Sequence, residues 1–182
     1  MVSKEAGVLV PDAVVVSAAE LAEVIGIDLQ TVNNWIRRGM ISRTPIGGRQ
    51  VKSRLFAKEE VYKAALKNGL VKLGIPPSSA NDAINKLWKD WDKKDIPGKQ
   101  RLYAVVLPSG GKLMVTLCIQ QKSGGPLYKY KSGDTRGTKS IVKKDLPQQA
   151  FAMIPISDVL DNVNSRLSEL LLGTTKARFS RA

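Results

Sequence analysis

Apolar residues recur along this chain with two different periods, and the change falls near residue 100. Before it, spacings of three and four predict amphipathic helices. In "VVVSAAELAEVIG", Leu21, Val24 and Ile25 share one face, and Ser17 with Glu20 has the spacing of a reciprocal capping box. Gly26 is placed to end this helix in the left-handed conformation. Only Ile27 then separates it from Asp28, an N-cap for a second helix over 28–38. At about 100° per residue, Leu29, Val32, Trp35 and Ile36 fall on one arc of that helix. "AKEEVYKAALKNGLVKLG" predicts a third helix, with Leu66, Leu70, Leu73 and Tyr62 facing the core and Gly74 as its stop. "SSANDAINKLWKDW" predicts a fourth, capped by Ser79 with Asp82 and buried through Ala83, Ile84, Leu87, Trp88 and Trp91. The tryptophans lie at helical spacing and read as core anchors rather than base-stacking platforms.

Between the second and third helices, residues 40–46 and 51–56 read as extended, joined by the turn-rich Gly47-Gly48-Arg49-Gln50. This pattern predicts a β-hairpin.

Beyond residue 100 the runs become strand-like. "RLYAVVLP" and "KLMVTLCIQ" are joined by Ser109-Gly110-Gly111, "QAFAMIPI" is a further strand, and "PLYKYK" a short one between. The intervening glycine-rich, basic segment carries Lys129, Lys131, Arg136, Lys139, Lys143 and Lys144, a candidate second surface for a phosphate backbone. A mobile, soluble loop is the alternative. In the last helix, Ile156, Leu160, Val163, Leu167 and Leu170 alternate gaps of four and three. That seam is too short to hold two chains alone, so it either covers the local sheet or adds to a dimer contact. The tail "TTKARFSRA" reads as basic and disordered.

Side-chain chemistry distinguishes the second helix. Opposite its apolar arc stand Gln30, Asn34 and Arg37, flanked by Thr31, Asn33 and Arg38, with no carboxylate after Asp28. A merely solvated face favours Glu and Lys. Amides bond adenine bidentately and guanidiniums bond guanine, so this ridge suits the edges of base pairs. From Arg37 to Arg54 there are six basic residues and no acidic one. Arg38, Arg43, Arg49, Lys52 and Arg54, with Gln50 at the hairpin tip, suit phosphate contacts.

Composition narrows the classes. The chain has 182 residues, 43% of them hydrophobic, a net charge of +13, one cysteine and no histidine. This bounds it to one large domain or two small ones and points to an acidic partner, nucleic acid before membrane. Residues 99–182 carry 14 basic against five acidic residues, a balance of +9, whereas residues 1–98 carry +4. Cys118 lies in an alternating apolar run and reads as a core residue; one cysteine excludes an internal disulfide and fits a reducing compartment. No common zinc ligand set is present, the glycines form no phosphate-binding loop, and no signal peptide or spanning helix is apparent.

Taken together, "AAELAEVIGIDLQTVNNWIRRGMI", the glycine-containing hairpin ending "SRLF", and "LVKLGIPPSSANDAINKLW" resemble the DNA-binding domain of MerR-like and excisionase-like winged helix-turn-helix proteins. The resemblance covers residues 15–91. It implies that helix 28–38 enters the major groove while the hairpin, as a wing, contacts backbone or minor groove. "TVNNWIRRG" is closer to the excisionase-like pattern than to the arginine and tyrosine of metal- and drug-sensing regulators. The long dimerising helix of those regulators does not follow; "DKKDIPGK" breaks the chain at 92–99.

The expected fold class is therefore α+β. An arm over 1–14 precedes a MerR-like winged helix-turn-helix domain over 15–92. A linker over 93–100 leads to a β-hairpin-rich domain with a C-terminal helix over 101–172, which serves dimerisation or a partner, and a basic tail over 173–182. The expected function is sequence-specific double-stranded DNA binding by a transcriptional regulator acting as a dimer. Gln30, Thr31, Asn33, Asn34 and Arg37 would read bases. The alternative is an architectural DNA-binding protein, an excisionase, replication or segregation factor of a phage, plasmid or mobile element, assembling on repeated sites. An enzyme acting on nucleic acid is not expected, since neither histidine nor a paired-carboxylate metal context is present. No cofactor, metal, membrane partner or small-molecule effector is expected. The expected location is the bacterial cytoplasm, in association with the nucleoid.

Overall fold

Several helix ends fall where the sequence sets caps and glycines. The computed structural model of the chain describes residues 14–42, 55–90, 100–109, 112–121, 128–131, 134–140 and 152–179. Among them the chain is mixed α+β, with five helices and two antiparallel sheets. Contacts divide it into two units, Met1–Tyr62 with Asp161–Ala182, and Lys63–Leu160. The grouping does not follow chain order.

In the first unit, β1 (Val15–Ser17) leads into α1 (Ala18–Ile25), and α2 (Leu29–Arg37) follows after a glycine turn. β2 (Leu55–Ala57) then pairs antiparallel with β1, setting Val16 opposite Phe56. Both side chains are buried, so the pair forms a small apolar floor beside α1. The amide of Lys58 extends the ladder by donating to the carbonyl of Val14 at 3.2 Å. The β1 strand is not among the sequence expectations, although three successive valines are a strand signal. Residues 40–42, expected to be extended, form a bend instead, because Met40 and Ile41 both turn into the core directly after α2. The rest of the expected hairpin, 43–54, lies outside the described residues.

α3 (Lys58–Lys72) ends at Gly74, whose φ is +84°; Gly74 donates to Val71 and Ile75 to Leu70. Leu66 and Leu70 are buried as expected. Leu73 is 54% exposed, however, because it lies past the last helical turn. Tyr62 is only half-buried, and its hydroxyl donates to Asn164 Oδ1. Lys67 and Asn68 are buried among the apolar residues of α3, which the sequence pattern did not suggest.

In the second unit, α4 (Pro77–Asp90) starts two residues before the expected Ser79 cap. Pro77 suits the first helical position, where a missing amide costs nothing, and the Pro76 carbonyl accepts from Ala80 at 2.9 Å. Ala83, Ile84, Leu87 and Trp88 form the buried stripe, with Lys63 Nζ over the Trp88 ring at 5.7 Å from its centroid; Trp91 lies outside the described residues.

The larger sheet has the order β6-β5-β4-β3-β7. β3 (Gln100–Ser109) and β4 (Lys112–Gln121) form the expected hairpin, paired from Gln100↔Gln121 to Ser109↔Lys112. Consecutive residues Leu102 to Val105 are all buried, so both faces of this strand are covered. Cys118 is buried opposite Tyr103. β5 (Tyr128–Lys131) and β7 (Ala152–Pro155) match expected strands, whereas β6 (Asp134–Ser140) falls where an irregular basic segment was expected. α5 (Ile156–Phe179) starts as Ser157 Oγ accepts from the Leu102 amide at 3.0 Å. Gly69 lets α3 approach β7, since a Cβ there would stand 3.3 Å from Ile154 Cδ1.

α5 continues to Phe179, so the tail expected to be disordered from residue 173 is helical over most of its length. Gly173 does not take the positive φ that would end the helix, unlike Gly26, Gly39 and Gly74. No described helix is long and apolar enough to cross a membrane.

Candidate nucleic-acid interface

The α1–α2 pair is set by caps before it is set by packing. The Ser17 amide donates to Glu20 Oε2 at 2.7 Å, and the Glu20 amide donates to Ser17 Oγ at 3.3 Å, which closes the capping box. At the far end, Gly26 adopts φ +67°, and the Ile27 amide donates to the Ala22 carbonyl at 3.1 Å. A single residue later, Asp28 is extended and starts α2. Its two carboxylate oxygens accept from the amide and the hydroxyl of Thr31, each at 2.7 Å. The hydroxyl bond first, then the amide bond, holds the Asp28 carboxyl below its ordinary pKa of 3.8.

α2 buries Val32, Trp35 and Ile36. Leu29 is 44% exposed rather than part of the buried stripe; it sits at the rim of the arc, roughly 60° from Val32, in the first turn. On the opposite side Gln30, Arg37 and Arg38 are exposed, while Thr31, Asn33 and Asn34 are half-buried. Within the ridge, Arg37 Nη2 donates to Asn34 Oδ1. That bond orients the guanidinium along the helix. Thr31 is occupied differently from the other expected base-reading residues, since its hydroxyl serves the Asp28 cap.

The end of α2 is fixed on the same plan as the end of α1. Gly39, at φ +69°, donates to Ile36 at 3.0 Å, and Met40 donates to Trp35 at 2.9 Å. The Ser42 amide then donates to Glu60 Oε2, in the first turn of α3, at 3.0 Å. The helix is thus held by a cap, a three-residue apolar stripe and a glycine stop.

Of the expected phosphate-contacting residues, Arg38 is the C-cap of α2 and is exposed, while Arg43, Arg49, Gln50, Lys52 and Arg54 lie outside the described residues. In the candidate second surface, Lys129 and Lys131 belong to β5, and Arg136 and Lys139 to β6. The register places Lys129 opposite Lys139 and beside Cys118. Lys143 and Lys144 lie outside the described residues.

One contact at the α1–α2 pair has no counterpart among the sequence expectations. Arg166, on α5, donates Nη1 to the carbonyls of Glu23 at 3.4 Å and Val24 at 3.0 Å. No sequence signal pointed to it, because its partners are backbone groups more than a hundred positions away. The same helix carries the buried Val163 and Leu167 in this unit.

No protein-family model matches the chain, and no curated protein shows significant similarity to it.

Proposed function

We propose that this chain is a sequence-specific double-stranded DNA-binding protein of the winged helix-turn-helix kind, a transcriptional regulator acting as a dimer. The observation that carries this reading is the division of α2: Val32, Trp35 and Ile36 are buried, while Gln30, Arg37 and Arg38 are exposed and Asn34 is linked to Arg37. A helix anchored on one stripe and carrying amides and guanidiniums on the other has the chemistry needed to bond base edges in a major groove. The resemblance of residues 15–91 to MerR-like and excisionase-like domains supports the same role for α2 and makes the glycine-containing hairpin ending "SRLF" a wing. The chain's net charge of +13 supports a polyanionic partner.

In this reading Gln30, Asn33, Asn34 and Arg37 read bases, Thr31 fixes the helix start, and Arg38, Arg43, Arg49, Lys52 and Arg54 set position on phosphates. Selection of bound genomic fragments by the purified chain, followed by footprinting, tests it. A recurring short motif protected in the footprint is the expected result; enrichment of no sequence over random DNA would refute sequence-specific binding. Replacing Lys52 with Ala should weaken cognate and random duplexes alike and lower the salt slope by about one.

A second reading, an architectural protein assembling on repeated sites, is favoured by the excisionase-like "TVNNWIRRG" of α2. Protection spreading over arrayed repeats, together with DNA bending, would select it over a regulator with one operator.

A further inference from the structure

The first helix of the α1–α2 pair ends at a junction that a distant segment completes. An α-helix leaves its last carbonyls without intrahelical partners. At the end of α1, Gly26 and Ile27 donate to Ala22, and Gly26 also donates to Glu23. The Val24 carbonyl receives instead the guanidinium of Arg166, 142 positions downstream, and the Glu23 carbonyl shares it. A positive charge at this point also meets the negative end of the helix dipole.

Gly26 serves the contact twice. Its φ of +67° closes the turn, and a Cβ there would stand 3.3 Å from Arg166 Nη1. The stretch of α5 that carries Arg166 is itself fixed within the unit. Val163 and Leu167 are buried, and Asn164 accepts from the Tyr62 hydroxyl. The guanidinium is therefore presented from an anchored helix, although Arg166 itself is largely exposed.

We infer that Arg166 is a positioning residue for α2. By capping α1 from outside, it holds the Gly26–Ile27 link and so sets the direction in which α2 presents Gln30, Asn34 and Arg37. It reads no base. Loosening that link divides the chain between aligned and misaligned orientations of α2, and the apparent affinity falls by the aligned fraction. The functional half of this inference rests on the DNA-binding reading above; the capping half does not.

The test uses the full chain with Arg166→Ala, Arg166→Lys and, as a control on the same helix, Glu169→Ala. Amide hydrogen exchange is followed at Gly26 and Ile27, with Gly74 and Ile75 as an internal reference, since these close α3 with similar bonds. Binding is followed by fluorescence anisotropy on a selected duplex and a random one. Arg166→Ala is expected to accelerate exchange at Gly26 and Ile27 about tenfold, leaving Gly74 and Ile75 unchanged. It should also weaken the selected duplex by roughly three- to tenfold and narrow its advantage over the random one. Arg166→Lys should recover part of both effects, and Glu169→Ala should cause neither. Unchanged exchange at Gly26 and Ile27 in folded Arg166→Ala overturns the inference, as does faster exchange with unaltered duplex preference. If Gln30→Ala and Asn34→Ala also bind like the parent chain, the DNA reading alone is lost, and the exchange result decides the role of Arg166 by itself.

Discussion

Helices α2 and α3 handle polar side chains in opposite ways. Both bury apolar residues, but α3 also draws Lys67 and Asn68 out of solvent, with Lys67 only 1% exposed. α2 keeps Gln30, Arg37 and Arg38 at the surface and fastens itself through end caps and three buried residues. Burying a lysine costs its hydration, so it persists only where partners and packing offset that cost. Keeping Gln30, Arg37 and Arg38 at the surface costs no burial and leaves them within reach of another molecule, with Arg37 also bonded to Asn34. In α3 Lys67 and Asn68 belong to the architecture of the fold; in α2 Gln30, Arg37 and Arg38 stay at its surface.

The most direct way to break this comparison is to truncate a polar residue in each helix. Lys67→Ala is expected to destabilise the chain by about 2–5 kcal/mol in urea denaturation, as a cavity-forming change in a packed site. Lys67→Met, which keeps the stem, should cost less. Gln30→Ala should change stability by no more than about 0.5 kcal/mol. Equal costs for Lys67→Ala and Gln30→Ala would erase the distinction.

The next largest effect belongs to the glycine that joins α1 to α2. Gly26→Ala forces a side chain into a left-handed backbone and against Arg166, and should cost about 1–3 kcal/mol in thermal or chemical unfolding. Gly39→Ala meets the same backbone strain with nothing within 4 Å of the new methyl group. It should therefore cost less, nearer the 1–2 kcal/mol of left-handed strain alone.

Asn34→Ala sharpens the comparison from the functional side. It should leave stability almost unchanged yet reduce discrimination by about 1–3 kcal/mol at one position of the selected sequence. Its loss also releases Arg37 from its hydrogen bond, so a neighbouring position should relax as well. Binding selections repeated with the variant would measure both.

The smallest effect is a titration. Because the folded pKa of Asp28 is depressed, its cap contributes fully above 3.8 and fades as pH falls through the lower folded value. Thr31→Val removes the hydroxyl that is the largest cause of the shift. It should move the Asp28 carboxyl titration upward in NMR. An unmoved titration would show that the hydroxyl bond does not set the cap.

Local codes made much of the first unit legible. Ser17 with Glu20, Gly26 and Asp28 act over one to five positions, and their bonds form as their spacing implies. The buried arc of α2 was equally readable, except at Leu29, where a helix wheel does not say how far a neighbour's cover extends. The β1–β2 ladder was less legible. Val16 meets Phe56 across 39 intervening positions, and neither three-residue strand is stable without the other. β6 was obscured for a similar reason, since "DTRGTKS" lacks the apolar alternation of a half-buried strand and is held by its pairing with β5.

By itself the sequence determined the start and stop of α1 and of α2, the run of each long strand, and the segregation of amides and guanidiniums from the apolar stripe of α2. These depend on residues within a few positions of one another. Tertiary structure alone decided that Lys67 would be buried, that β1 would find β2, and that Arg166 would cap α1. Each of those requires partners brought together only by packing, and the information for a contact with backbone carbonyls is written in no side chain at the receiving end.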